Sequence, residues 1–250
     1  SGSSKGWVYH IDMSGHSKWA KVKYQKAVND PKKGKAFSKL SALISIAARD
    51  GKDIETNSKL RVAVEKAKEL GMPKDNIEKA IKRGAGELKE EKNLEELFCE
   101  AYGPGGSALL IHAITDNKNR TLAELRHLLQ TYESKMAETG SVRWMFKEVG
   151  VIFFPKTNWN DDFSLKIIEK GAEEIKEKEE EIIVYTSPQN LLPLKKFIEE
   201  LLPDTQITAE FDFISQQPLI LSETDKTQIE KLFEALEDHS DIEGVYSNVE

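Results

Sequence analysis

The sequence predicts a mixed α+β chain in which an N-terminal helical bundle is followed by two ferredoxin-like-type α/β domains, one inserted in the other. Two observations predict it. Up to about residue 90, apolar residues recur at helical spacing between Gly and Pro stops, whereas from Leu97 onward short β-rich runs alternate with helical ones. A charged stretch without apolar period, Glu87 to Asn93 (ELKEEKN), lies between the two regimes and is expected to be a linker.

Ser1 to Asp12 is small and polar with neither period, and it reads as a vector-derived leader ahead of a native start at Met13. From Lys18 to about Asn29 a short helix with a ragged apolar face is expected, ended at Asn29-Asp30-Pro31 because the residue before a proline is pushed out of the helical region. The next helix is expected from Lys35 to Arg49, where Phe37, Leu40, Ile44 and Ala47 share a face and Gly51 follows as a stop. A third helix starts from a cap at Asn57 or Ser58 and carries Leu60, Val64, Ala67 and Leu70 to Gly71. A fourth has Pro73 in its first turn and Ile77, Ala80 and Ile81 on one side before Gly84. These short amphipathic helices should pack with their lysines outside, giving a basic helical domain over residues 13–90.

Leu97 to Tyr102 and Ser107 to Thr115 are β-rich and are joined by Gly103-Pro104-Gly105-Gly106, the pattern of a hairpin. A helix is expected at Arg120 to Tyr132, a strand at Val151 to Phe154, and a helix from Asp161 to Gly171 capped near Asn160. Paired strands should follow at Glu173 to Lys178 and Glu181 to Thr186, then a helix capped by Asn190 with Pro193 in its first turn, and a strand at Ile207 to Ile214. Strand, helix, strand, strand, helix, strand is the ferredoxin-like order, assigned to an inserted domain of residues 146–215. That leaves a helix from Ser222 to Glu237, with Asp225 three residues after its Ser cap, and a short strand from Gly244 to Asn248. One helix and one strand cannot form a domain, so residues 216–250 are expected to return and complete the sheet of residues 94–145.

At 250 residues and 39% hydrophobic content the chain can bury roughly 75% of its unfolded surface. No run reaches the 18 or so apolar residues of a membrane span. The single cysteine, Cys99, excludes an internal disulfide and a thiolate metal cluster, which suits a reducing compartment: the cytoplasm, with an organelle matrix as the exception. The histidines, His10, His16, His112, His127 and His239, are scattered, and no HExxH, CxxC or GxSxG occurs. Arg83-Gly84-Ala85-Gly86 follows a helix rather than a strand, and Gly103 to Gly106 lacks the Gly-Lys-Ser/Thr of a phosphate-binding loop. Neither catalysis, nor a cofactor, nor a metal, nor a small-molecule substrate is expected.

Charge is the feature that composition does not dilute. Met13 to Arg49 holds nine Lys/Arg and one acid, for +8, and the sum stands at +9 by Lys92. Because the whole chain is −7, Asn93 to Glu250 carries −16. A basic head on an acidic body points to a polyanion met by one end. Lys18, Lys21, Lys23, Lys26, Lys32, Lys33, Lys35 and Lys39 supply the head's ammonium groups, with Trp19 and Tyr24 interleaved as stacking surfaces. Lysine is a point charge rather than a base-reading fork, so its contacts should go to phosphate and fix position without specifying sequence.

Ser14-Gly15-His16-Ser17-Lys18-Trp19, Lys35-Ala36-Phe37-Ser38-Lys39-Leu40, Met72-Pro73-Lys74-Asp75-Asn76-Ile77 running on to Ala80-Ile81-Lys82-Arg83-Gly84, and Tyr102-Gly103-Pro104-Gly105-Gly106 occur in this order. In these blocks the chain resembles the YebC family, from Met13 to the C-terminus. That family includes bacterial proteins described as probable transcriptional regulators and the mitochondrial translational activator of cytochrome c oxidase. The resemblance implies a helical domain and two α/β domains, one interrupting the other. It also implies that the Ser14 to Lys18 end, His16 included, engages nucleic acid together with Lys82 and Arg83. Cys99-Glu100-Ala101-Tyr102 departs from the Tyr-Glu-Gly-Tyr run more usual in the family. The expected function is regulation of gene expression through DNA or ribosomal RNA, with the ribosome as a candidate partner. The competing reading is a protein-interaction scaffold acting through the acidic α/β domains.

Overall fold

The computed structural model describes residues 30–88, 93–157 and 159–250. Helix α1 spans Asp30–Ala47 and continues as a 3-10 turn over Ala48–Asp50, ended by Gly51 at φ 141°. It therefore begins at Asp30, not Lys35. Pro31 lies in the first turn of this helix, where its missing N–H would have had no partner anyway. The helix expected over Lys18 to Asn29 lies outside the described residues. Helix α2, Ser58–Glu69, is capped by Asn57, whose side-chain oxygen accepts from Leu60 N at 3.0 Å. The same amide donates to Ala47 O and Gly51 O at 2.7 Å each, so one residue starts α2 and closes the end of α1.

Helix α3, Lys74–Gly84, follows Pro73, which is its N-cap and not a first-turn residue. Leu40, Ile44, Leu60, Val64, Ala67 and Ile77 form the center of the bundle core. Gly84 is fixed by contact: a Cβ there would lie 2.1 Å from Ser45 O, so only glycine lets α3 cross α1 this closely.

Strands β1 (Glu95–Tyr102) and β2 (Ala108–Thr115) pair antiparallel from Glu95↔Thr115 to Tyr102↔Ala108. The expected hairpin is present, its turn carrying Gly105 and Gly106 at positive φ. Helix α4 (Lys118–Thr131), capped by Asn117, leads to the two-residue strand β3 (Lys135–Met136) on the outer side of β1. Strand β4 (Phe146–Pro155), helix α5 (Asp161–Glu169), strands β5 (Ala172–Glu177) and β6 (Glu181–Thr186), helix α6 (Leu191–Leu201) and strand β7 (Thr208–Ser215) then form a sheet ordered β5-β6-β4-β7. This is the ferredoxin-like arrangement. Strand β4 starts at Phe146 rather than Val151 because it is central, paired to β7 from Phe146↔Ser215 onward and to β6 from Gly150↔Thr186. Asn190 precedes α6 but makes no capping bond; its amide donates to Lys170 O at 2.9 Å and Thr186 Oγ1 at 3.1 Å, tying the α5–β5 turn to β6.

Helix α7 (Glu223–Glu237) starts at Ser222, whose hydroxyl accepts from Asp225 N and donates to Asp225 Oδ2. Strand β8 (Ile242–Ser247) then pairs with β2, completing the order β3-β1-β2-β8. This first sheet is built around a central hairpin, so the ferredoxin-like connectivity holds for the second sheet alone. Leu109, Ile111, Leu125, Leu129, Leu232 and Leu236 fill the layer between the first sheet and helices α4 and α7.

Helix α2 meets the second sheet through Lys66–Glu210 at 2.8 Å, Lys195–Glu65 at 2.7 Å and Lys59–Glu148 at 3.4 Å, while Val62 joins that sheet's core. Behind Glu210 lies Asp212, buried, with one carboxylate oxygen accepting from Phe213 N at 2.8 Å and the other without a hydrogen-bond partner among the described residues. Burial, then the Glu210 charge, push its carboxyl well above the usual carboxylate range against the opposing pull of Lys66. Glu100 is the opposite case. Burial works against its charge, but the amides of Gly140, Val142 and Arg143 donate to it at 2.6, 2.6 and 2.9 Å and hold its carboxyl below the ordinary value.

Three outcomes follow. Gly84→Ala should destabilise the chain by about 1–3 kcal/mol, read as a lowered midpoint in denaturant, because the added methyl meets a backbone oxygen. Glu100 has a depressed folded pKa, so its contribution is present above the ordinary glutamate value of about 4.3 and is lost as pH falls through the folded value. Melting curves between pH 7 and pH 3 should show that step in the parent and not in Glu100→Gln. For Asp212 the sign reverses: its raised pKa gives stability present below about 3.9 and lost as pH rises. Asp212→Asn, which imitates the protonated acid, should therefore melt higher than the parent at pH 7 and equal to it near pH 3.

Candidate nucleic-acid interface

The lysines at the start of the bundle divide into two groups by what they touch. Lys33 is exposed, with its ammonium 5.9 Å from the centroid of Phe37, and Lys82 is exposed in the last turn of α3. Lys35 and Lys39, one helical turn apart on α1, point instead at the C-terminal end of α7. Lys39 is 3% exposed and donates to Glu237 O at 2.9 Å and Ile242 O at 2.6 Å. Lys35 donates to the carbonyl of Asp238 and reaches its carboxylate at 3.2 Å. The unsatisfied carbonyls ending a helix carry the negative end of its dipole, and they hold cations. This corrects the expectation that the bundle's lysines all face outward, because Lys39 neutralises a helix end inside the protein.

Arg83 is likewise turned inward, donating from Nε to Ser45 Oγ at 2.9 Å and from Nη2 to Ser41 O at 3.0 Å. The other arginines of the bundle are also in use: Arg49 donates to Leu94 O, and Arg61 donates to Ile54 O and pairs with Glu55. His16, Lys18, Trp19, Lys21, Lys23 and Lys26 lie outside the described residues, and of Lys32 only the backbone in the first turn of α1 is described.

Sequence reasoning missed the cleft where the bundle meets the first sheet, about 770 Å³, with Lys79 and Arg83 of α3 facing Arg120 of α4 and the carboxylates of Asp116 and Asp241. Arg120 pairs with Asp241 at 2.6 Å and Asp116 at 3.2 Å, and Thr121 Oγ1 donates to Asp241 at 2.7 Å. Asp116 lies just ahead of the Asn117 cap, four residues before Arg120, whereas Asp241 comes from the far end of the chain and no local spacing points to it. Glu124, His239 and Asp241 offer ligand-type atoms within 4.8 Å of one another. The Arg120 guanidinium stands among them, bonded to Asp241 and 3.9 Å from Glu124, and makes this an ion-pair network.

The remaining candidate chemical groups have structural surroundings. His112 Nε2 lies 2.8 Å from Glu96 Oε1, and its ring stacks on Phe98 at 4.6 Å between centroids. Cys99 is buried in the first core, where desolvation pushes its thiol up and away from the reactive thiolate.

Residues 17–87 match the family described as TACO1/YebC protein N-terminal domain, and residues 94–249 match TACO1/YebC second and third domain. A protein of Thermotoga petrophila named probable transcriptional regulatory protein is 46% identical over 241 residues, covering 95% of this chain and 94% of its own length. One of the same name from Kosmotoga olearia is 44% identical over 243 residues, covering 95% and 94%. The crystal structure of a conserved hypothetical protein from Aquifex aeolicus superposes with a TM-score of 0.79 at 38% identity, covering 88% of this chain and 91% of that one. Matched along nearly its whole described length and at this identity, the chain belongs to the TACO1/YebC family.

Proposed function

We propose that the chain regulates gene expression by binding nucleic-acid phosphates through its lysine-rich N-terminal side, reading charge and shape rather than base sequence, without catalysing a reaction. The observation that carries this reading is the division of charge, +9 through Lys92 against −16 beyond it. The regulatory names of the relatives support its coarser part. A reader of base edges needs Arg, Asn or Gln forks free to enter the major groove, and Arg49, Arg61 and Arg83 each donate to groups of the protein itself. A large structured RNA, the ribosome above all, therefore suits the head better than a promoter. The acidic body keeps the rest of the chain off the phosphates.

If about six lysines contact phosphate, log affinity for duplex DNA should fall against log salt with a slope of roughly −5, from about −0.9 per contact. Changing Lys21, Lys23 and Lys26 together to Glu should weaken binding more than tenfold with an unchanged melting temperature, since the sequence predicts them on the surface and surface changes usually shift stability by about 0.5 kcal/mol or less. Salt-independent affinity, or full affinity in the folded triple variant, would remove the head from this role. Sedimentation with ribosomes beside footprinting on promoter fragments separates the two partners: a sharp, competitor-resistant promoter footprint without ribosome co-sedimentation would restore a DNA-reading regulator.

A further inference from the structure

Phe98 and His112 stand directly opposite each other on β1 and β2, and their rings are stacked at 4.6 Å with an angle of 8° between planes. Although Phe98 sits in the middle of β1, it is 42% exposed. Beside it the Arg143 guanidinium lies 4.5 Å from the Phe213 ring and 5.8 Å from the Phe98 ring. Arg143 donates to Phe146 O at 3.1 Å and has no carboxylate at ion-pair distance among the described residues. Next along the chain is Trp144, 60% exposed, its Nε1 donating to Ser141 O at 3.0 Å. Phe98 and Trp144 are the large aromatic side chains left exposed among the described residues.

This exposure belongs to a fixed surface. The buried Glu100 carboxylate gathers the amides of Gly140, Val142 and Arg143, which sets the backbone that carries Arg143 and Trp144. Glu100 occupies the same face of β1 as Phe98, two residues on, so strand and loop are held to each other. Two cations of the bundle come close as well. Glu96, whose ionisation is favoured first by the His112 bond against the cost of burial, is also favoured by Lys59 and Arg49. The charged groups at this corner are thus Arg143 beside the rings, with Arg49 and Lys59 on the Glu96 side, against Glu96, Glu148, which pairs with Lys59, and the buried Glu100 carboxylate, whose ionisation Arg143 also favours. Each arginine keeps its charge uncancelled by a direct carboxylate contact among the described residues.

We propose that Phe98, backed by His112 and flanked by Arg143, is a stacking site for an unpaired base of the nucleic-acid partner, placed beside the bundle that holds the phosphates. Every base offers a flat face to an aromatic ring, and an adjacent guanidinium contributes both a cation over the ring and a phosphate partner. The inference rests on the nucleic-acid reading above and narrows it to substrates with unpaired nucleotides, such as loops and bulges of a folded RNA. A protein segment seated on the same rings is the competing occupant.

The experiment measures the full chain by fluorescence anisotropy against one labelled twelve-nucleotide RNA, single-stranded and annealed to its complement, at two salt concentrations. Phe98→Leu should lower single-strand affinity about tenfold, leave duplex affinity unchanged, and leave the salt slope unchanged because no charge is lost. Phe98→Trp, which keeps a stacking face, should retain binding. A 2-aminopurine within the strand should be quenched by the parent and less by Phe98→Leu, with melting curves showing both variants folded. Equal affinity of parent and Phe98→Leu for the single strand, or parallel loss on single strand and duplex, overturns the stacking site. Duplex binding by a parent that ignores single strands overturns it too and leaves the head's role intact, whereas a parent that binds neither form overturns both.

Discussion

The ammonium group of Lys39 sets how the molecule is put together. A buried charge is tolerated only when its donors are satisfied, and here the carbonyls of Glu237 and Ile242 satisfy them from the end of α7 and the start of β8. This fixes α1 on the first sheet, while Lys66–Glu210 and Lys195–Glu65 fix α2 on the second. The bundle is thereby held to both sheets at once, and the cleft lined by Lys79, Arg83 and Arg120 exists only in that position. Lys39 and Lys66, which join head to body, are drawn from the same basic composition that suggested an external partner, while Lys195 reaches back from the body to Glu65. Cationic residues in such a chain serve two ends, and burial decides which.

Much of the fold was legible because local chemistry and tertiary environment agreed. Asn57 and Ser222 cap as their side chains allow, the glycine-rich turn joins a hairpin, and the β5–β6 pair falls within a residue or so of its expected bounds. Errors arose where a residue could serve two roles. Pro31 could close one helix or open the next. Asn190, placed before a helix, had a better use for its amide in the carbonyl of Lys170. The start of β4 was hidden because Lys147 and Glu148 break the apolar run, yet their backbone pairs with β7 regardless of side chain. Strand β3, two residues long, offers no period to detect.

The candidate site was less legible for a different reason. Net charge counts ammonium groups without saying where they end, and Lys39 resembles its neighbours in sequence until α7 is placed against it. Arg120 and Asp241 are distant in sequence and meet only because β8 lies beside β2. The stacked pair of Phe98 and His112 follows from register alone. A shift of one residue between β1 and β2 would put the two rings on opposite faces of the sheet.

The return of β8 to β2 orders events during synthesis. Everything from Phe146 to Ser215 can close its own sheet as soon as that stretch is made, with strands near one another along the chain. The first sheet has its hairpin early but waits for β8 to cover one side of β2, leaving that side open until residues 242–247 are made. The carbonyls that receive Lys39 come from the same stretch, so this contact of the basic head with the first sheet forms only after residues 237 and 242 are made. Synthesis of α7 and β8 is the event that seats Lys39, and a chain cut short before α7 would lack that contact while keeping the ion pairs of α2 with the second sheet.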